Sequence, residues 1–411
     1  MKKVVVLTLV FLFLLASTIA GVAQEPIKIG ALFALTGGLA PYGLPIVNGA
    51  KLAVEQINRA GGVLGRRVEL VIRDTATAPA AGRDAASKLI NLDRVVAIIG
   101  ALSSGVTVAS SSLTIPARVV LISPASTSPM LTDLKDDDFV FRTCVSDALQ
   151  GVVQGKLALD LGYKTASVIY VNNPYGKGLA EVFKKEFEAG GGKVLAMVPY
   201  EENKPSYRGE VEKAIAKGPG VINLIGYPVD GNKMLVQAVE LGYEGTYLFS
   251  DGMKGEAVAG GPAAEYIEGT FGTAPGALEV AVAETFEKDY REAFGPSTVP
   301  FRAQCYDAFA LLALAIQKAG PSFLDMTQEE QGTAIRDNLR AVANPPGEEV
   351  TYNEFSRAFE LLKKGVDINY QGTSGPITFD KNGDVVEGAI EIWQNFEGRA
   401  KTVKILKVST R

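Results

Sequence analysis

The sequence predicts an α/β protein of two lobes, each a parallel sheet covered by helices. Three features carry this. Short apolar runs alternate with longer amphipathic stretches from about residue 27 to residue 250, the pattern of βα units whose strands are buried on both faces. The alternation comes in two series of similar length. The chain of 411 residues is too long for one ordinary domain and suits two.

In the first series, strand-like runs at Ile27–Ala34, Val68–Arg73, Val95–Gly100 and Val119–Ile122 are separated by helical patterns at 46–60, 80–91 and 104–115. Ala50, Ala53, Val54 and Ile57 share one helical face, and Gly61-Gly62 stops that helix. In the second series, runs at Ala166–Val171, Val194–Val198, Val221–Gly226 and Thr246–Ser250 alternate with helices near 175–189, 206–217 and 231–242. Gly190-Gly191-Gly192, Lys217-Gly218-Pro219 and Gly242 mark the helix ends. The last third reads as helices near 279–294, 302–319, 327–343 and 353–364. They need a surface to pack on, and the economical path returns to the first lobe and then crosses once more. Asn382-Gly383 between apolar runs predicts a hairpin about Lys381–Asp384.

The N-terminus reads as a signal peptide over residues 1–23. Lys2 and Lys3 form a basic start, Val4–Leu15 an apolar stretch, and Gly21-Val22-Ala23 a small-residue cut site. A retained signal anchor is the alternative. No Cys lies near the cut, so a lipoprotein anchor is not indicated, and the expected product is secreted and soluble.

Composition excludes several function classes. A net charge of −5 with no basic stripe argues against nucleic acid. The absence of His removes imidazole-based triads and zinc sites. Gly61-Gly62-Val63-Leu64-Gly65 neither follows a strand nor opens a helix, so it fails as a dinucleotide fingerprint, and no Walker A pattern is present. Asp380, Asn382, Asp384 and Glu391 have calcium-loop spacing, but Val385 holds the position that needs Gly. No cofactor, no metal and no catalysis are expected. Cys144 and Cys305 can pair or stay separate.

Two neighbouring strand ends carry most of the functional signal. Val95–Gly100 opens onto Ala101-Leu102-Ser103-Ser104, and Val119–Ile122 opens onto Ser123-Pro124-Ala125-Ser126-Thr127. Ligands of open α/β sheets gather at strand carboxyl ends, and hydroxyls with free helix-start N–H groups hold a carboxylate there. Ser103-Ser104 also reads as an N-cap. Asp251 before Gly252 is either a turn residue or an acceptor for a ligand ammonium. Tyr227, at the end of Val221–Gly226, is a pocket wall or a surface aromatic. Tyr42 in Pro41-Tyr42-Gly43 and Tyr175 in Pro174-Tyr175-Gly176 are read as loop residues after strands.

Together these residues bring a known family into view. The chain resembles the branched-chain amino-acid (Leu/Ile/Val) binding proteins of bacterial ABC importers, the type I periplasmic binding proteins. The landmarks run in order from Lys28-Ile29-Gly30, Leu35-Thr36-Gly37 and Tyr42-Gly43 through Gly100-Ala101-Leu102-Ser103-Ser104 and Ser123–Thr127. They continue with Phe141-Arg142-Thr143, Asp147…Gln150-Gly151, Tyr306-Asp307-Ala308 and Gly372–Asp380. The resemblance implies two Rossmann-like lobes joined by three crossovers near 145, 274 and 387. Lobe 1 would comprise 24–145 plus 275–387, and lobe 2 would comprise 146–274 plus 388–411. It implies that Ser104 and Thr127 hold an amino-acid carboxylate, with Ser103 beside them, and that the Ala125 carbonyl and Asp251 hold the ammonium. Many members have Glu at the place of Asp251. Tyr42, Tyr175 and Tyr227 would wall the pocket. The implied protein is a monomer of the periplasm that binds a branched-chain or aliphatic amino acid and hands it to inner-membrane permease subunits. The competing expectation keeps the fold and binds an amide, urea or an aromatic acid for uptake or sensing.

Overall fold

The computed structural model describes residues 24–278 and 281–410. The expected signal peptide, 1–23, lies outside the described residues. The first lobe begins with β1 (Ile27–Phe33), α1 (Ala40–Arg59), β2 (Val68–Asp74), α2 (Pro79–Asn91), β3 (Ala97–Gly100), α3 (Ser104–Thr114), β4 (Val120–Ser123) and β5 (Val140–Arg142). The strands form a parallel sheet in the order β2-β1-β3-β4-β5. β3 and β4 are buried along their whole length, which is why they read as unbroken apolar runs. α1 starts six residues before its expected position, so Tyr42 sits in the first turn of a helix and not in a loop. Pro41 is tolerated there because the first turn has no use for its missing N–H.

The second lobe repeats the pattern. It comprises α4 (Asp147–Asp160), β6 (Thr165–Val171), α5 (Pro174–Ala189), β7 (Lys193–Tyr200), α6 (Arg208–Ile215), β8 (Val221–Ile225), α7 (Pro228–Glu240), β9 (Tyr247–Phe249) and β10 (Phe271–Gly276). These strands run parallel in the order β7-β6-β8-β9-β10, the order of the first sheet over again. Tyr175 lies in the first turn of α5, behind Pro174, and that helix starts one residue before the position expected for it.

The chain then returns to the first lobe as α8 (Ala281–Phe294), α9 (Arg302–Ala319), α10 (Gln328–Ala343), β11 (Glu348–Val350), α11 (Phe355–Lys363), β12 (Ile368–Gly372) and β13 (Gly375–Pro376). β11, β12 and β13 form a small separate sheet. α9 packs between α1 and α10, and every residue from Ala303 to Gln317 is buried. Gly49 of α1 makes the approach possible, since a Cβ there would stand 2.2 Å from the Arg302 carbonyl oxygen.

Finally β14 (Glu387–Phe396) and β15 (Arg399–Ser409) join the second sheet beside β10, both pairings antiparallel. The parallel strands expected of that lobe are thus extended at one edge by an antiparallel pair, which makes the sheet mixed. The cause is local. β14 and β15 are joined by Glu397 and Gly398, both at positive φ, and a two-residue turn of that kind permits only antiparallel pairing. The hairpin expected about 381–384 reduces to one bridge between Phe379 and Val385. The Asp380 carboxylate accepts from the N–H groups of Asn382 and Asp384, so the turn is tied by a side chain instead of by a ladder.

The chain crosses between the sheets three times: after Arg142, after Gly276 and after Asp384. β10 runs on to Gly276, past the crossing expected near 274. Arg142 ends β5 with its guanidinium 2% exposed. It donates to both oxygens of Asp384 at 2.6 and 2.7 Å, to Thr132 Oγ1 at 2.8 Å, and to the carbonyls of Thr127 and Ser128 at 3.0 and 2.9 Å. Replacing Arg142 by Ala leaves a buried carboxylate unpaired, and is expected to cost about 3–5 kcal/mol in urea unfolding. A loss below about 1 kcal/mol would show that Asp384 and the 127–128 carbonyls find other partners.

Candidate ligand-binding cleft

The two strand ends are stitched together by their own hydroxyls. Ser123 Oγ and Ser126 Oγ donate to the Ala101 carbonyl at 2.6 and 3.0 Å, and Thr107 Oγ1 accepts from the Ala101 N–H at 2.9 Å. These groups hold the loops and are not free for a ligand. Ser103 occupies the N-cap position of α3, but its side chain makes no cap bond. Its Oγ instead stands 3.3 Å from the Tyr227 hydroxyl of the other lobe. Ser104 Oγ accepts from the Ser128 N–H at 3.2 Å. The first N–H groups of α3 lack intrahelical acceptors, as at any helix start, and carry the positive end of its dipole.

The second lobe supplies the facing wall. The rings of Tyr175 and Tyr227 stack with centroids 5.7 Å apart. Asp251 opens a short 3-10 turn after β9. Its Oδ1 accepts from Tyr175 OH and from Gln150 Nε2, both at 2.9 Å. The backbone N–H groups of Asp251 and Gly252 also favour its charged form. Tyr42, from the first lobe, reaches across to the carbonyls of Asp251, at 2.8 Å, and Lys254. Asn173 Nδ2 donates to the Tyr227 hydroxyl at 3.0 Å and to Glu202 Oε1 at 3.2 Å. Burial pushes the Glu202 carboxyl up to about 7.

Between the walls lies a narrow cleft lined by Leu39, Tyr42, Ile46, Leu102, Ser104, Ala125, Tyr175, Tyr227, Asp251, Gly252 and Phe301. The sequence-selected residues Tyr42, Ser104, Ala125, Tyr175, Tyr227 and Asp251 are thus brought together. Thr127 and Ser103 stand beside the lining, and Thr127 Oγ1 is buried with no hydrogen-bond partner among the described residues. The residues that sequence reading missed are apolar: Leu39, Ile46, Leu102 and Phe301. Phe301 precedes α9 with φ at 69°, a left-handed conformation that its sequence neighbourhood does not announce. Leu39 lies just before α1, and Ile46 opens the helical pattern expected at 46–60, where an apolar residue reads as core.

Electrostatically the lining holds one carboxyl and no cationic side chain. Burial raises Asp251 to about 6, against the bonds from Tyr175 and Gln150 that favour its charged form. Among the described residues no cluster suits a metal ion, and Cys144 and Cys305 are separate buried thiols.

Comparison with known proteins bears on this geometry. A family profile described as "Periplasmic binding protein" matches residues 26–358. A chemotactic signal transduction substrate-binding protein, BasB, of Halobacterium salinarum is 30% identical over 94% of this chain and 91% of its own length. A Leu/Ile/Val-binding protein, BraC3, of Rhizobium johnstonii is 30% identical over 84% of this chain and 93% of its own. The crystal structure of a leucine-binding protein, LivK, from Thermotoga maritima superposes with a TM-score of 0.77 at 26% identity, covering 92% of this chain and 98% of that one.

Asp251 titrates above its ordinary value of 3.8 in the folded protein, so folding favours its protonated form. Its charge therefore lowers stability above about pH 6, and the penalty is gone below about pH 4. Asp251→Asn is expected to stabilise the unliganded protein by about 1–3 kcal/mol at pH 8, with the gain fading at pH 4. Denaturant unfolding at the two pH values measures it.

Proposed function

The chain belongs to the periplasmic binding protein family, and we propose that it is the substrate-binding component of an ABC importer that captures a branched-chain or other aliphatic amino acid between its lobes. The observation that carries this is the lining itself, which sets one carboxyl with no compensating cation opposite a helix start, with apolar side chains between. Such a site suits a zwitterion with an aliphatic side chain. The ligand carboxylate meets Ser104 and the N–H groups at the start of α3. Its ammonium meets the Asp251 carboxylate and the Ala125 carbonyl. Leu39, Ile46, Leu102 and Phe301 surround the side chain. Thr127 lies one step behind, within reach of the carboxylate. A bare aromatic acid would bring a second negative charge to Asp251 with no cation to balance it, which disfavours that reading.

The lobes hinge about the three crossovers, after Arg142, Gly276 and Asp384. A ligand that touches both lobes stabilises the closed form by its differential affinity for it. The closed form is what a permease in the inner membrane would recognise, and the protein would work in the periplasm as a monomer. A substrate-binding protein whose name places it in chemotaxis is among the relatives, so the same closure could also report to a sensor. Binding without turnover is expected.

A thermal-shift screen tests this reading, since a ligand that binds only the folded state raises Tm. Leucine, isoleucine or valine is expected to give the largest shift. No shift with any amino acid, together with one from an aromatic acid or an amide, would overturn it. Asp251→Ala is expected to weaken amino-acid binding by about 1.5–3 kcal/mol, on the order of ten- to a hundredfold. Wild-type affinity is expected to fall as pH drops through about 6, because protonation removes the partner of the ligand ammonium. Titration calorimetry at pH 8 and pH 5 reads both effects.

A further inference from the structure

Tyr227 belongs to a chain of hydrogen bonds that crosses from one lobe to the other. Asn173, the N-cap of α5, begins it. Its Oδ1 accepts from the Gly176 N–H at 3.1 Å. That fixes which end of the amide is which, because a backbone N–H only donates. The two hydrogens of Nδ2 then go to Glu202 Oε1 at 3.2 Å and to the Tyr227 hydroxyl oxygen at 3.0 Å. The same hydroxyl stands 3.3 Å from Ser103 Oγ of the first lobe. Among the described residues the Tyr227 hydroxyl has these two partners alone, and Ser103 Oγ has Tyr227 alone. Tyr227 is 2% exposed and Ser103 4%, so a hydroxyl hydrogen left without an acceptor there is costly.

We propose that Asn173 is a positioning residue that sets the direction of this chain: it donates to Tyr227, Tyr227 donates to Ser103 Oγ, and Ser103 turns its own hydrogen toward the ligand carboxylate. This rests on the amino-acid reading of the cleft. The argument is one of counting hydrogens. A phenol has a single hydrogen to give, and Asn173 already occupies its accepting side. The Tyr227 hydrogen then needs an acceptor, and Ser103 Oγ is the one within reach. A serine hydroxyl has one hydrogen and two lone pairs. With a lone pair engaged by Tyr227, the Ser103 hydrogen is the donor left over. Were the chain to run the other way, Ser103 would spend its hydrogen on Tyr227 and meet a carboxylate with lone pairs. A second observation points the same way. Ser103 is the N-cap of α3, where a serine ordinarily accepts from its own helix, yet its side chain makes no such bond. The rotamer that joins it to Tyr227 leaves the first N–H groups of α3 uncapped. Hydroxyl and helix start therefore offer donors side by side at the cleft.

Asn173→Ser keeps a cap oxygen for the Gly176 N–H, adds no charge and withdraws the donor from Tyr227. With L-isoleucine as probe at pH 8, Ser103→Ala is expected to weaken binding about tenfold, and Asn173→Ser about threefold or more. In a Ser103→Ala or a Tyr227→Phe background, Asn173→Ser is expected to change affinity by less than about twofold, because nothing is left to carry the direction. Unfolding curves confirm that the variants are folded. The same loss in all three backgrounds would mean that Asn173 acts only by holding α5, and would overturn the proposal. So would a Ser103→Ala or an Asn173→Ser variant that binds like wild type. The infrared difference spectrum of wild type minus Tyr227→Phe, without ligand, provides an independent reading. The tyrosine C–O stretch separates a phenol that both accepts and donates from one that only accepts. The first is expected, and the second would overturn the proposal. If wild type binds no amino acid, the reading of the cleft fails, and the infrared result still decides the direction of the chain.

Discussion

The guanidinium of Arg142 is the constraint on which the binding half of the first lobe depends. It ends β5 just before the first crossover and is gripped by Asp384 just before the third. Its remaining donors hold the carbonyls of the loop after β4. Buried ion pairs rarely stabilise more than an apolar replacement would, so its contribution is to select one arrangement. That arrangement fixes loop 126–128, and the loop fixes two further groups. The Ser128 N–H donates to Ser104 Oγ at the start of α3, and the Thr127 carbonyl accepts from Asp147 at the start of α4. A single buried cation thus sets two crossovers, the loop beside the cleft and two helix starts.

The second lobe reaches the same strand order by the same βα logic, and the cleft forms where the carboxyl ends of the two sheets face each other. The lobes contribute differently. The first offers backbone donors, and most of its nearby hydroxyls are spent on holding Ala101 in place. The second offers stacked aromatic rings and a carboxyl held by Tyr175 and Gln150. This asymmetry matches the two ends of a zwitterion.

Much of this was legible in the residues and some was not, for identifiable reasons. Fully buried parallel strands leave long apolar runs, so β1, β3, β4, β6 and β8 stood out. The helices of the last third were visible by period, although α9 is buried nearly all round. β14 and β15 were not assigned, because Glu397-Gly398 is not the Asn-Gly signature of a tight turn, while the real Asn382-Gly383 closes only a single bridge. Tyr42 falls outside the helical pattern at 46–60 because Pro41 and Pro45 mask a helix whose first turn tolerates proline, whereas Tyr175 stands at the expected start of its helix. Phe301 lies far along the chain from every strand end, and only tertiary packing brings it to the cleft. The pairing of Asp147 with Thr127 was equally out of reach, because it depends on how the first crossover folds back on the loop after β4.

The cost of closure explains how so small a site can drive a motion of whole lobes. Among the contacts that join the lobes are hydrogen bonds from Tyr42 to the Asp251 and Lys254 carbonyls, between Ser103 and Tyr227, from Ser128 Oγ to the Pro174 carbonyl, and from the Thr298 N–H to Glu256. Each contributes about 0.5–1.5 kcal/mol net. Against them stands Asp251, whose charge must leave water when the lobes meet and whose elevated proton affinity records that expense. In the unliganded protein the two terms oppose each other. In the proposed role, a ligand ammonium beside the Asp251 carboxylate would convert the opposing term into an attraction. A neutral ligand could fill the same space and leave the penalty standing. Selectivity for a cationic group and the trigger for closure are on this account the same interaction, read once as affinity and once as a change of shape.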